Sequence, residues 1–170
     1  WCLDFAYPPA ATVGDPQSIC SGSTTAGLGG NPPVSGSGAW SVESGGTGTF
    51  NPNASTPDAT FTHTGGNGPI TLRWTLTAVC GADAADVEVT IFTPPAVPTI
   101  TAVPTNPDAG SSGNQASGPS ATSYAWSISD GTITSATNLQ TINYTAGGSG
   151  AVTLGLTVFN VSGCSASNSI

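Results

Sequence analysis

The chain has 170 residues, of which nine are acidic, one is arginine and none is lysine, giving a net charge of −8. Charged residues make up 6%, against about 25% in ordinary globular proteins, so the surface must be built from Ser, Thr, Asn, Gln and Gly. So few cations exclude phosphate neutralisation, and with it nucleic-acid binding. They also argue against an anionic membrane surface, and no apolar run is long enough for membrane insertion.

Taken in chain order, the first clear periodic signal is Thr60 to Thr64, followed by Ile70, Leu72, Trp74 and Leu76 alternating with Thr71, Arg73, Thr75 and Thr77. Period-two alternation predicts strands with one face on a core and the other in water. Val87, Val89 and Ile91 predict a further strand over 86–92. The Ala82 to Ala85 stretch is too short for a helix and runs into that strand. Thr93-Pro94-Pro95-Ala96 reads as a short, semi-rigid link. Beyond it, Val152, Leu154, Leu156 and Val158 alternate again. The glycine-rich links 65–68 and 147–150 read as hairpin loops.

The second half repeats the first. Trp40-Ser41-Val42 recurs as Trp126-Ser127-Ile128, Gly68-Pro69-Ile70-Thr71-Leu72 as Gly150-Ala151-Val152-Thr153-Leu154, and Cys80 as Cys164. Three anchors in one order imply duplicated domains. Short antiparallel strands at close spacing imply sandwiches. Trp40 and Trp126 then occupy equivalent strands, each expected in its own core against the opposite sheet. Trp74 shares a face with Leu72 and Leu76 and is expected in the core too. Trp1 has no evident partner.

The stretches Gln17-Ser18-Ile19-Cys20-Ser21-Gly22, Ala39-Trp40-Ser41-Val42 and Ala59-Thr60-Phe61-Thr62-His63-Thr64 resemble repeats of very large secreted proteins of gliding and biofilm-forming bacteria. Tyr124-Ala125-Trp126-Ser127-Ile128 and Gly163-Cys164-Ser165-Ala166 are similar to the related PKD-like repeats. The resemblance implies an all-β protein of two tandem immunoglobulin-like (PKD-like) antiparallel β-sandwiches. The strand pattern and the proline-rich link place sandwich 1 at 9–93 and sandwich 2 at 94–170, and the resemblance makes the second PKD-like and implies an extracellular or cell-surface bacterial setting. Such modules serve as stalks, spacers, adhesins and fibre subunits, and the fold by itself implies no activity.

In a first domain of that kind, Cys20 sits before one strand and Cys80 ends another close to it, so a Cys20–Cys80 disulfide is expected. Closing about 60 residues stabilises by roughly 4 kcal/mol on the chain-entropy model. A metal site is disfavoured, since there is one histidine and no C-x-x-C. Cys2 and Cys164 are left unpaired or intermolecular, bonded to each other across subunits or to segments beyond these residues. His63 reads as a surface residue of its strand rather than a catalytic base. The carboxylates are scattered. Asp83 and Asp86 lack the spacing of a calcium loop, and no cofactor is implied. The sequons at Asn53, Asn143 and Asn160 read as chance in a chain this rich in Ser, Thr and Asn.

The two ends complement each other. Pro94 follows Cys80 by fourteen residues, whereas Ile170 follows Cys164 by six. The last strand of sandwich 2 is therefore expected to be truncated. Residues 1–8 resemble the tail of such a strand plus a linker, with Leu3, Phe5 and Tyr7 on one face. The chain, which begins at Trp1 and contains no Met, reads as a mature or excised fragment. Two accounts stay open: a window of a tandem array, or subunits that complete one another's sheets by strand addition. Residues 1–7 are expected not to pack on sandwich 1 as part of its sheet. The functional expectation is a non-enzymatic repeat of an extracellular fibre, stalk or adhesin, linked head to tail with copies of itself or adjacent repeats. The alternative is a glycan- or protein-binding module attached to a secreted enzyme.

Overall fold

A computed structural model describes residues 7–149 and 151–170. They divide into two compact units, Trp1–Thr93 and Pro94–Ile170, and every regular element described is a strand.

Unit one contains β1 (Gln17–Cys20), β2 (Ser37–Ser44), β3 (Thr47–Asn51), β4 (Thr60–Gly65), β5 (Ile70–Ala78) and β6 (Gly81–Phe92). One sheet has the order β1-β6-β5-β2, and β3-β4 forms the other. The sandwich is not wholly antiparallel: β1 runs parallel to β6, with Gln17 opposite Val89 and Cys20 opposite Phe92. The last strand is also longer than expected. It begins at Gly81 and pairs with β5 from Ala78 back to Ile70. Its first residues are exposed on both faces, so they carry no apolar alternation to read.

The links 65–68 and 147–150 are not hairpin loops. β4 and β5 belong to different sheets, so the first link crosses the sandwich from one layer to the other. The alternation on its two sides is that of two inner faces looking at each other. These faces build a core of Leu28, Trp40, Ala59, Phe61, Ile70, Leu72, Trp74, Leu76, Val87 and Val89.

Unit two contains β7 (Thr101–Val103), β8 (Asn114–Ser117), β9 (Ser123–Ser129), β10 (Gly131–Ile133), β11 (Thr141–Ala146), β12 (Thr153–Phe159) and β13 (Ser165–Ser169). Its sheets are β10-β11-β8-β7 and β13-β12-β9. Ala116, Trp126, Ile142, Tyr144, Leu154, Leu156 and Val158 fill the space between them. β13 pairs with β12 from Phe159 to Gly155, and Ile170 exchanges both backbone hydrogen bonds with Leu154.

The outer faces use hydroxyls where most proteins use charges. Thr24 bonds Thr62 at 2.8 Å, Thr47 bonds Thr64 at 3.2 Å, Ser117 bonds Thr141 at 3.0 Å and Thr157 bonds Ser167 at 2.9 Å. The last three link side chains on adjacent strands, the positions at which cross-strand pairs add to sheet stability, and the first spans an isolated bridge between Thr24 and Thr62.

Candidate functional site

The cysteines are the chemically distinctive side chains. Cys20, Cys80 and Cys164 are each disulfide-bonded, and no cysteine among the described residues is free. The expected Cys20–Cys80 pair does not form. Cys20 lies opposite Phe92 at one end of β6, while Cys80 immediately precedes Gly81 at the other. Twelve residues of strand separate those ends by about 36 Å, at roughly 3.3 Å per residue. A disulfide needs Cα atoms about 4.4–6.8 Å apart. The expectation failed because it took β1 to lie near the start of β6, and the parallel register puts it at the end. Cys164, expected to be unpaired or to bond outside the chain, is bonded and 1% exposed. Cys2, Leu3 and Phe5 lie outside the described residues.

Tyr7, the remaining member of the expected strand-completing face, is in no strand. Together with Pro8 and Ala10 it lines a cavity with Cys80, Gly81, Ala82 and Asp83 of its own unit. The backbone behind it is tied down, since Ala11 N–H donates to Asp83 Oδ2 at 2.7 Å. The expectation is that residues 1–7 form no part of the first sandwich's sheet; Tyr7 is in none of its strands, and residues 1–6 lie outside the described residues.

His63 is not a surface residue. It is 2% exposed, on the same inward face as Phe61 two residues before it. Gly22 N–H donates to Nδ1 at 3.2 Å, Ser21 Oγ lies 3.3 Å from the same nitrogen, and Nε2 lies 3.2 Å from Gly66 O. With Nδ1 accepting, the proton belongs on Nε2, which donates to that carbonyl. A serine nucleophile needs a base whose second nitrogen is oriented by a carboxylate. Here that nitrogen holds a backbone carbonyl, so the imidazole ties two loops together. Phe61 and His63 both fall on the buried phase of the alternation, a signal that was present in the sequence.

Asp83 and Asp86 do not converge. Three positions apart on a strand, they face opposite ways. Asp83 caps Ala11 N–H, and Asp86 takes two hydrogen bonds from Arg73, at 2.7 and 2.8 Å. Arg73 also reaches Glu43 at 3.4 Å. Hydrogen bonding to Arg73 holds the Asp86 carboxyl below its ordinary range, and the same bonds raise the guanidinium further. No group of three or more His, Cys, Asp or Glu side chains suited to a metal occurs among the described residues. Asn53 and Asn160 use their side-chain oxygens to close local turns, at Ser55 and Ser162 N–H respectively.

The tryptophans form a recurring clamp. Trp40, Trp74 and Trp126 are 4%, 0% and 6% exposed. Trp40 N–H donates to Ala54 O at 2.8 Å, and its indole N–H to Pro57 O at 2.9 Å. Trp126 N–H donates to Thr137 O at 3.0 Å, and its indole N–H to Leu139 O at 2.9 Å. Each ring therefore fills its core and pins the loop that crosses over it. Trp40 also stacks on Phe50 of the facing sheet, with centroids 6.3 Å apart.

Among the described residues this architecture is all-β. No protein-family model matches the chain, and no curated protein matches it. Similar solved structures include the protocadherin gammaB7 EC3-6 cis-dimer, at 13% identity over 95% of this chain and 46% of that one, with a TM-score of 0.32. The titin domains I67–I69 match at 12% identity over 95% and 64%, with a TM-score of 0.33. Mouse protocadherin-24 EC1-3 matches at 12% over 94% and 68%, with a TM-score of 0.32. The chain spans less than two thirds of the first two.

Proposed function

We propose that this chain is a non-enzymatic structural repeat of an extracellular fibre, stalk or adhesin on a bacterial surface, with 9–93 and 94–170 as its two sandwich domains. Its partners are adjacent repeats or copies of itself, joined head to tail. The carrying observation is what recurs between the units. The tryptophan clamp is built twice, with both loop hydrogen bonds. The imidazole is not: β11 matches β4 residue for residue in pattern, and His63 there becomes Tyr144. Duplication has preserved a scaffold and no reactive group.

Disulfides in a chain of this size suit an oxidising, exported setting. Hydroxyl pairs across strands stand on the outer faces, where charges are otherwise usual. The position of Tyr7 and Pro8 against the β5–β6 turn of their own unit favours a peptide-linked array over donation of that segment to another copy.

Electron microscopy of the native secreted material tests this reading. Rods or filaments are expected. Discrete particles, together with saturable binding of the purified chain to a glycan array, would replace it with the binding-module alternative.

A further inference from the structure

The last strands of the two units differ beyond one pair of residues. In unit one β6 pairs with β5 as far as Ile70, which stands opposite Val89, and β1 holds Val89 to Phe92 on the other side. Val89 is buried in the core and Ile91 packs against it. The internal repeat gives Ile70, Leu72 and Trp74 the counterparts Val152, Leu154 and Leu156. Leu72 stands opposite Val87, and Leu154 exchanges both backbone hydrogen bonds with Ile170, so Ile170 holds the place of Val87. Yet Val87 is 3% exposed and Ile170 is 51% exposed. Val152, in the place of the buried Ile70, is only partly buried and lies in no strand.

Beside Val152, where Val89 stands beside Ile70 in unit one, unit two has a cavity of about 260 Å³. Val152, Leu154 and Ile170 line it together with Asn106 and Pro107, and it reaches the core at Tyr144. All of these residues belong to unit two. The strand ladder says what fits. Hydrogen-bonded pairs of an antiparallel ladder recur every second residue, and inward side chains do the same. Counting on from the Leu154–Ile170 pair, the second residue after Ile170 falls opposite Val152 and points inward, and the fourth points inward after it. Unit one has Val89 and Ile91 at those two positions.

We propose that this cavity is a strand-acceptor slot for the extended segment by which an adjacent repeat joins Ile170, apolar at its second and fourth residues. The proposal rests on the reading of the chain as a peptide-linked repeat. The ladder between β12 and β13 continues to the Leu154–Ile170 pair, and Ile170 itself lines the cavity, so a segment joined there enters it. The slot selects its neighbour by phase, since a slip of one residue turns every inward side chain outward. An exact copy would bring Leu3 and Phe5 to the third and fifth positions. The matching neighbour is therefore a repeat of different sequence.

Two extensions of the whole chain test the slot. One adds Glu-Val-Thr-Ile-Phe after Ile170, the sequence of Glu88–Phe92, and the other adds Thr-Glu-Val-Thr-Ile, which moves the apolar residues to the third and fifth positions. The readout is backbone amide exchange at Val152. It should slow by about five- to tenfold in the first extension, the weight of one added hydrogen bond, and keep the parent rate in the second. Equal protection in both, or protection in neither, overturns the slot. Free Glu-Val-Thr-Ile-Phe peptide that protects Val152 of the parent chain as well as the joined segment does would overturn a joined neighbour as the occupant. Filaments in electron micrographs with no protection in the first extension sink this inference alone. Protection confined to the first extension, in a protein whose native material is discrete particles, sinks the fibre reading alone.

Discussion

The two units hold the same frame and fill it differently. In unit one Trp74 stands opposite Trp40, and Gly38 lies two residues before Trp40 on the same face. In unit two Leu156 stands opposite Trp126, and the position two residues before Trp126 is Tyr124. A Cβ on Gly38 would run into Trp74 Cζ2 and Cη2. The large ring of one unit is accommodated by the missing side chain beside it, and the smaller leucine of the other leaves room for a tyrosine. Gly30 and Gly118 show the constant part. A Cβ on Gly30 would come within 3.0 Å of Trp74 Cδ2, and one on Gly118 within 2.5 Å of Leu156 Cδ2. In each unit, then, the main chain closes directly over this core position. The repeat keeps main-chain hydrogen bonds, while individual side chains change size and trade places.

The largest expected effect breaks the shared frame. Trp40→Ala and Trp126→Ala each remove a buried ring and a loop hydrogen bond, at a cost of about 3–5 kcal/mol. That is a large share of the roughly 5–15 kcal/mol that holds a domain. Trp40→Ala should be the costlier, because Trp40 also packs on Trp74 and Phe50 at centroid distances of 5.2 and 6.3 Å. Urea unfolding of the whole chain by circular dichroism reads both. Midpoints unchanged from the parent would show that the clamp holds nothing.

The next effect sharpens the difference in filling. Gly38→Ala should cost about 1–3 kcal/mol by overpacking against Trp74. Trp74→Leu, which copies unit two, should relieve it, so the double variant should be less damaged than the sum of the singles. Additive losses would mean that Gly38 serves its strand and not the neighbouring ring.

These positions also show what the sequence made legible. The tryptophan and leucine faces were readable because period-two alternation and an internal repeat report burial from residues a few places apart. The β1–β6 pairing was not, because nothing near Gln17 or Val89 encodes a parallel partner some 70 residues away. The disulfide expectation failed with it. The start of β6 was missed because Gly81 to Ala84 are exposed, so no alternation appears until Val87. His63 was misjudged on its polarity, although its phase beside Phe61 marked it as buried.

His63 yields the next test, since Tyr144 takes its place in unit two. His63→Phe keeps a ring in the cavity but leaves Gly22 N–H and Gly66 C=O without their partner. The cost should be about 1 kcal/mol, at the low end for lost hydrogen bonds because both loops are open to water. Amide exchange at Gly22 should accelerate in the variant. Unchanged protection there would show that the imidazole is only filler.

The smallest expected effect concerns the ion pair of unit one. The Arg73 guanidinium beside Asp86 holds that carboxyl below its ordinary value, near pH 4 for a free aspartate. A depressed carboxyl contributes stability that is fully present above its ordinary value and is lost as pH falls through the depressed one. Arg73→Gln should therefore change the midpoint little at pH 7, because the pair is exposed and screened. Its signature is the acid limb: between pH 5 and pH 2 the variant should lose less stability than the parent. Moderate salt should narrow that gap further. Unfolding midpoints across this range, at low and high salt, provide the check. Parallel acid limbs for parent and variant would mean that the ion pair contributes nothing to the fold.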